Sequence, residues 1–308
     1  MRKERKVNWQ TTSSFYGKNY NFFYKRNFWG FRGEEFDPKD VKVIFEGGST
    51  GNQRFTPENL TIVGLLNESF KNSNHNLKIY NASTDGKSVS GYINDFNFWF
   101  PKIPNFNPEY VIFYIGINDR FDNFDGRYLL DNKISEKKID QLKDYIKNNS
   151  FIVDKFKFIK NKYFPKNTFA YDLSNNLLYE NYEYVDYQTA LKIHDKVDDE
   201  NLILIKNFRS KLDKLNLIIK KFEIKPIFIN QLMYDGLKDK KLFLVNNELK
   251  NFASENNYYF IALDEVLTME QNDYFDTAHT TPQGSKRIAD KIFPLLLEFF
   301  KENNEITE

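Results

Sequence analysis

Val41-Lys42-Val43-Ile44-Phe45-Glu46-Gly47-Gly48-Ser49-Thr50-Gly51 decides how the chain is read. A β-branched and aromatic run stops at two glycines, and a serine follows at once. Such runs favour a buried strand, and paired glycines favour a tight turn. The pattern predicts one hydroxyl presented at the carboxyl end of a strand. In open α/β sheets that edge is where ligands bind.

The same punctuation recurs downstream. Leu77-Lys78-Ile79-Tyr80 runs into Asn81-Ala82-Ser83-Thr84-Asp85-Gly86, and Tyr110-Val111-Ile112-Phe113-Tyr114-Ile115 runs into Gly116-Ile117-Asn118-Asp119. Two further strands are read at Pro226-Ile227-Phe228-Ile229-Asn230 and Tyr258-Tyr259-Phe260-Ile261-Ala262-Leu263. Helical patterns separate them. Ile62, Leu65, Leu66 and Phe70 recur at helical spacing behind Thr56-Pro57, read as an N-cap with proline in the first turn. Tyr92, Ile93 and Phe96 mark a short helix, Leu202 to Phe222 a long one, Leu242 to Ala253 another, and about Pro282 to Phe300 the last. Strands alternating with helices predict an α/β fold, a three-layer αβα sandwich around a five-stranded parallel sheet. For five strands the flavodoxin-like order 2-1-3-4-5 is the expectation.

Flanking segments depart from this rhythm. Residues 1–40 read as an N-terminal extension packed on the body, with Asn27-Phe28-Trp29-Gly30-Phe31-Arg32-Gly33 as its most structured piece. The main domain is expected over 41–302, with a long insertion at about 120–200, and 303–308 as a disordered tail. Inside the insertion Ile152, Phe156, Ile159 and Tyr163 share one helical face, with Lys155, Lys157, Lys160 and Lys162 off it. The ordinary reading is an amphipathic helix packed on the body, and the sharper one is a lid.

Composition narrows the function. The chain has 308 residues with Lys+Arg 44 against Asp+Glu 43, a net charge of +1. That balance gives no electrostatic reason to expect nucleic acid or an anionic membrane as partner. Cysteine is absent, which removes disulfides, thiolate catalysis and cysteine-based metal sites. No apolar run approaches the roughly 18 residues of a membrane span. The sequence calls for no cofactor and no metal. The basic start, Met1-Arg2-Lys3-Glu4-Arg5-Lys6, lacks the apolar stretch of a signal peptide. The chain as it stands therefore reads as cytoplasmic, or extracytoplasmic if a leader was removed.

A serine hydroxyl needs a base, usually histidine. Three are present. His75 lies in a polar loop and reads as solvent-facing, and His194, inside the insertion, reads as a surface or packing residue. His279 stands three residues after Asp276, a spacing that lets the carboxylate fold back onto the imidazole and fix its tautomer. The bland alternative is that Asp276 only starts the last helix. An oxyanion also needs donors, and Gly86 and Asn118 both follow strand ends. All four elements, Ser49, Gly86, Asn118 and the Asp276–His279 pair, thus fall at or just past the carboxyl ends of strands.

In those motifs the chain resembles the SGNH (GDSL-type) hydrolases. Gly47-Gly48-Ser49-Thr50 looks like the nucleophile block, and Asn81-Ala82-Ser83-Thr84-Asp85-Gly86 like the glycine block. Gly116-Ile117-Asn118-Asp119 looks like the asparagine block and Asp276-Thr277-Ala278-His279 like the histidine block, in the family's order over about residues 41–300. The resemblance implies that Ser49 attacks an ester carbonyl, with His279 as base then acid and Asp276 as its orienter. It also implies an oxyanion hole made of the N–H groups of Ser49 and Gly86 and the Asn118 side chain. Two departures stand out: Gly48 takes the place of the usual aspartate, and the insertion is longer than in a minimal member.

Gly47-x-Ser49-x-Gly51 also fits a nucleophile elbow, but that motif normally comes later in the chain, with acid and base on separate loops. No Gly-Lys-Ser/Thr follows the glycines, which disfavours a phosphate loop. The expectation is a serine esterase acting on a small-molecule, glycan or lipid ester. An O-acyltransferase using the same triad is the alternative, and a non-catalytic carbohydrate-binding or scaffold module a third reading.

Overall fold

The computed structural model describes residues 5–11, 20–121, 168–171 and 182–306. The five strands of the main sheet are β3 (Val43–Gly47), β4 (Ile79–Asn81), β5 (Tyr110–Tyr114), β7 (Lys225–Ile229) and β8 (Tyr259–Ile261), all paired in parallel. Their spatial order is β4-β3-β5-β7-β8. Renumbered within the sheet, that is 2-1-3-4-5. β3 and β5 are buried along their whole length; β5 accordingly reads as an unbroken apolar run, while β3 carries one buried charge, Glu46.

Alternate strand residues face opposite layers. Val43, Phe45, Ile112 and Ile227 join the core under α2 (Ile62–Asn72) and α8 (Pro282–Glu302). Ile44, Val111, Phe113 and Phe228 join the other, under α3 (Val89–Asn94), α5 (Asp199–Lys221) and α6 (Lys240–Glu255). Phe70 of α2 meets Phe293 and Phe300 of α8 edge-on, at 5.0 and 6.1 Å between centroids. Each such ring, taken fully out of water, contributes about 1.5–3 kcal/mol. The two cores hold the sheet, and with it the strand ends, in fixed register.

Two expectations need correction. α2 does not begin at Thr56-Pro57: a 3₁₀ turn at Glu58–Leu60 intervenes, and Thr61 is the N-cap, its hydroxyl accepting the Gly64 N–H at 3.0 Å. The sequence reading named no strand in the extension, which holds two. β1 (Arg5–Thr11) and β2 (Tyr20–Arg26) form an antiparallel pair, and β1 also pairs in parallel with β6 (Thr168–Tyr171) of the insertion, a second sheet of order β2-β1-β6. Nor is the start of the tail loose. The Glu305 carboxylate accepts from Tyr110 Oη at 2.9 Å and Lys42 Nζ at 3.3 Å, and Ile306 is buried. The amphipathic stretch Ile152–Tyr163 lies outside the described residues.

The end of the extension lies against the body. Phe31 is fully buried, with Phe36, Trp99, Phe100 and Phe106 around it. The Arg32 N–H donates to Asn81 O at 2.9 Å, an isolated antiparallel bridge against edge strand β4. No helix among the described residues is long and apolar enough to cross a membrane.

Candidate active site

Ser49 is the first residue of α1 (Ser49–Asn52), a single turn that starts where β3 ends. The Gly48 carbonyl accepts the Asn52 N–H at 2.9 Å and the Ser49 carbonyl accepts Gln53 N–H at 2.8 Å, so the strand breaks sharply into helix and leaves the serine half-buried. Gln53 closes the turn at φ +44, an uncommon conformation for a residue with a side chain. Its amide holds it there: Nε2 donates to Thr280 Oγ1 at 3.0 Å and Ser285 Oγ at 2.6 Å, and Oε1 accepts the Ile62 N–H at 2.7 Å. One side chain thus ties the serine turn to the segment that follows His279.

His279 sits in a loop closed by a Phe275 N–H bond to its carbonyl at 2.7 Å and by a bridge between Tyr274 and Thr280. Its Nδ1 is 2.7 Å from Asp276 Oδ2, while Asp276 Oδ1 accepts the N–H groups of Ala278 and His279, both at 2.8 Å. A carboxylate can only accept, so Nδ1 carries the proton and Nε2 is the basic nitrogen of the neutral ring. Burial alone pushes the Asp276 carboxyl up, but its bonds to His279 and the two backbone N–H groups outweigh this and hold it below the usual range. The bland reading of Asp276 as a helix start fails on the cap of α8, which is Thr281, its hydroxyl accepting the Gly284 N–H at 3.2 Å.

Gly86 lies in the turn after β4 at φ +70, where any side chain would be strained. Asn118 follows β5, and its Nδ2 donates one hydrogen to Lys87 O at 2.8 Å, leaving the second for the site. Here the structure explains Gly48. A Cβ at that position would stand 2.4 Å from Asn118 Nδ2 and 3.0 Å from Lys87 O. With Asn118 packed this closely, no side chain fits before the serine.

Ser49, Gly86, Asn118 and His279 all line one cavity of about 400 Å³. The other two histidines lie apart from it. His75 is half-buried beyond the end of α2, by the amino end of β4, and His194 packs on Phe243 with Nε2 3.0 Å from Leu237 O.

The cavity brings in residues the motifs did not single out: Arg54, Phe55 and Phe275, beside Asp85 and Gln53. Arg54 Nη1 pairs with Asp85 Oδ2 at 2.7 Å, and Asp85 Oδ1 accepts from Asn52 Nδ2 at 2.7 Å. Behind Asn52 stand two buried arginines of the extension. Arg26 Nη2 donates to Asn52 Oδ1 at 2.8 Å and Ser83 O at 2.6 Å. Arg32 donates to the carbonyls of Asn52, Gln53 (2.6 Å) and Thr56 (2.5 Å) and pairs with Glu58 at 2.6 Å. A basic residue in a polar, glycine-bounded arm carries no local sign of such burial, and only proximity to Gly30-Phe31-Arg32-Gly33 pointed there.

No family model matches the chain, and no curated protein matches it. Solved structures do. A member of the lipolytic protein G-D-S-L family from Veillonella parvula is similar to it at 14% identity, covering 83% of this chain and 98% of the other with a TM-score of 0.47. An acetyl xylan esterase, AlAXEase, is similar at 15% identity over 83% and 100%, TM-score 0.44. The lipase/acylhydrolase from Enterococcus faecalis is similar at 10% identity over 87% and 97%, TM-score 0.46. At identities this low neither substrate nor residue role transfers.

Proposed function

We propose that the chain is a serine esterase that forms an acyl-enzyme on Ser49. The observation that carries this reading is the convergence of Ser49, Gly86, Asn118 and the Asp276-bound His279 on one cavity. His279 Nε2 takes the Ser49 proton as Oγ attacks the ester carbonyl, and Asp276 stabilises the imidazolium so formed. The Ser49 and Gly86 N–H groups and the free Asn118 hydrogen bind the oxyanion. His279 returns the proton to the leaving alkoxide. Water, deprotonated by the same nitrogen, then releases the acid and regenerates Ser49.

Phe55 and Phe275 supply apolar walls, and Arg54, Asp85 and Thr280 polar ones, in a cavity of about 400 Å³. That mixture favours a short acyl group, such as acetyl, on a sugar or another polar alcohol. The acyl-enzyme serves equally an O-acyltransferase, in which a sugar hydroxyl replaces water.

The test is hydrolysis of an aryl acetate by the parent protein and by Ser49→Ala and His279→Ala, each of which should lose nearly all activity. Asn118→Ala should lower turnover by about 10²–10³, the scale of one oxyanion donor. A serine-directed organophosphonate should label Ser49. Full activity in Ser49→Ala, or labelling elsewhere, would relocate the site. Product analysis with and without a sugar acceptor separates hydrolysis from transfer.

A further inference from the structure

Directly after Gly86 comes a lysine with no access to solvent. Lys87 and Glu46 are both fully buried, and the Asp95 side chain is 7% exposed. Lys87 Nζ pairs with Glu46 Oε2 and with Asp95 Oδ2 at 2.6 Å, and donates to Ala82 O at 2.8 Å. An ammonium has three donors, and these three acceptors lie on three segments: the end of β3 next to Gly47, the loop after β4, and the π turn Asp95–Trp99 that follows α3. The rings of Tyr92 and Trp99 lie 5.6 and 5.7 Å from Nζ. The neighbouring helix is notched to admit the stem, since a Cβ on Gly91 would stand 2.3 Å from Lys87 Cγ.

Burying such a cluster is a poor way to gain stability. Well-packed hydrophobic side chains of similar volume are often as good or better. The cluster's placement points to another use. The Lys87 carbonyl is the acceptor for Asn118 Nδ2, its N–H bonds Thr84 O at 3.3 Å, and Gly86 is its neighbour in sequence. Fixing the Lys87 side chain therefore fixes the peptide that orients one oxyanion donor and adjoins a second. A donor displaced by about 1 Å forfeits much of its effect on the transition state while leaving substrate binding nearly intact.

We propose that Lys87 is a positioning residue for the oxyanion hole, acting through Glu46 and Asp95 on one side and through its own carbonyl on Asn118 on the other. This rests on the esterase reading above. Lys87→Met tests it directly but takes the ammonium away from two buried carboxylates, so the decisive variant is the neutral triple Glu46→Gln/Lys87→Met/Asp95→Asn, checked for folding by circular dichroism and thermal melting. The expected result is a folded protein whose kcat on aryl acetate falls at least about tenfold with KM little changed. Adding Asn118→Ala to the triple should cost far less than it does in the parent.

A separate readout needs no activity. With ¹⁵N-asparagine labelling, the Asn118 side-chain amide signal, assigned by its loss in Asn118→Ala, should shift in the triple variant. A folded triple with parental kcat and an unmoved Asn118 signal would overturn the proposal. Should Ser49→Ala leave the hydrolysis intact, the esterase reading falls, and the Asn118 signal still decides whether Lys87 positions that amide.

Discussion

Two sets of buried cations support the same edge of the sheet, and they do it by different chemistry. On the side of the extension, Arg26 and Arg32 spread their guanidinium groups mostly over neutral oxygens: Tyr24 Oη, Gly30 O, Asn52 Oδ1 and Ser83 O for the first, and the carbonyls of Asn52, Gln53 and Thr56 for the second, whose Nε also meets the partly exposed Glu58 carboxylate. On the far side Lys87 is held by two carboxylates. A guanidinium has five donors in a fixed fork and is weakly hydrated, so it can be buried among carbonyls and fasten several loops together. An ammonium is a compact, strongly hydrated charge, and its burial calls for acids. The arginines are therefore fasteners whose loss leaves many acceptors unsatisfied. The value of the lysine cluster lies in where it puts one peptide.

The contrast can be broken from the arginine side first. Arg32→Met should lower unfolding stability by about 3 kcal/mol or more, because the carbonyls of Asn52, Gln53 and Thr56 lose their buried donor. Urea unfolding would show it as a lowered midpoint at constant slope; an unchanged midpoint would mean that the arm does not fasten the serine turn. Next in size is Gly48→Asp, which forces Asn118 off Lys87 O. It should cut kcat by about 10²-fold, the effect of losing one donor, without touching any charge of the lysine cluster. A parental kcat would show that Asn118 can leave that acceptor freely.

Arg26→Met should be milder, about tenfold in kcat. It loosens Asn52, which holds Asp85 at 2.7 Å beside Gly86. An unchanged rate with intact folding would remove Asn52 and Asp85 from the argument about Gly86.

The smallest effect concerns Asp119, buried behind Asn118 with its carboxylate accepting the Val89 N–H at 2.9 Å. Burial pushes this carboxyl up to about 7, against an ordinary value of 3.8. A raised carboxyl costs the fold nothing while it is protonated in both states, and it costs progressively more as pH climbs from about 4 through about 7. Asp119→Asn keeps an acceptor for Val89. It should melt with the parent near pH 4 and a few degrees above it at pH 8, and equal melting at both would refute the assignment.

What could be read from the chain divides along the same line. The strands at Val43, Tyr110 and Pro226 were legible because burial on both faces leaves a strand largely apolar, and their ends carry glycine, asparagine or serine that periodicity cannot absorb. The Asp276–His279 pair was legible because both residues sit in one tight loop. Thr56 misled because Thr61 offers the same capping chemistry five positions later and only the 3₁₀ turn between them decides. Nothing in Asp85-Gly86-Lys87-Ser88 announces that Glu46 and Asp95 meet the Lys87 side chain. The pairing of β1 with β6 joins segments far apart in sequence, and no local pattern encodes a partner at that distance.

That last pairing has a consequence for anyone who would re-engineer the protein. β1 is the middle strand of its sheet, hydrogen-bonded to β2 on one side and to Thr168–Tyr171 of the insertion on the other. β2 ends on Arg26, and Arg32 follows six residues on. Among the described residues, the amino-terminal arm and the insertion thus share one sheet. A chimera that imports a new insertion without a matching β1 would expose an open strand edge and slacken the arginine fasteners together, so the two pieces should be swapped as a pair.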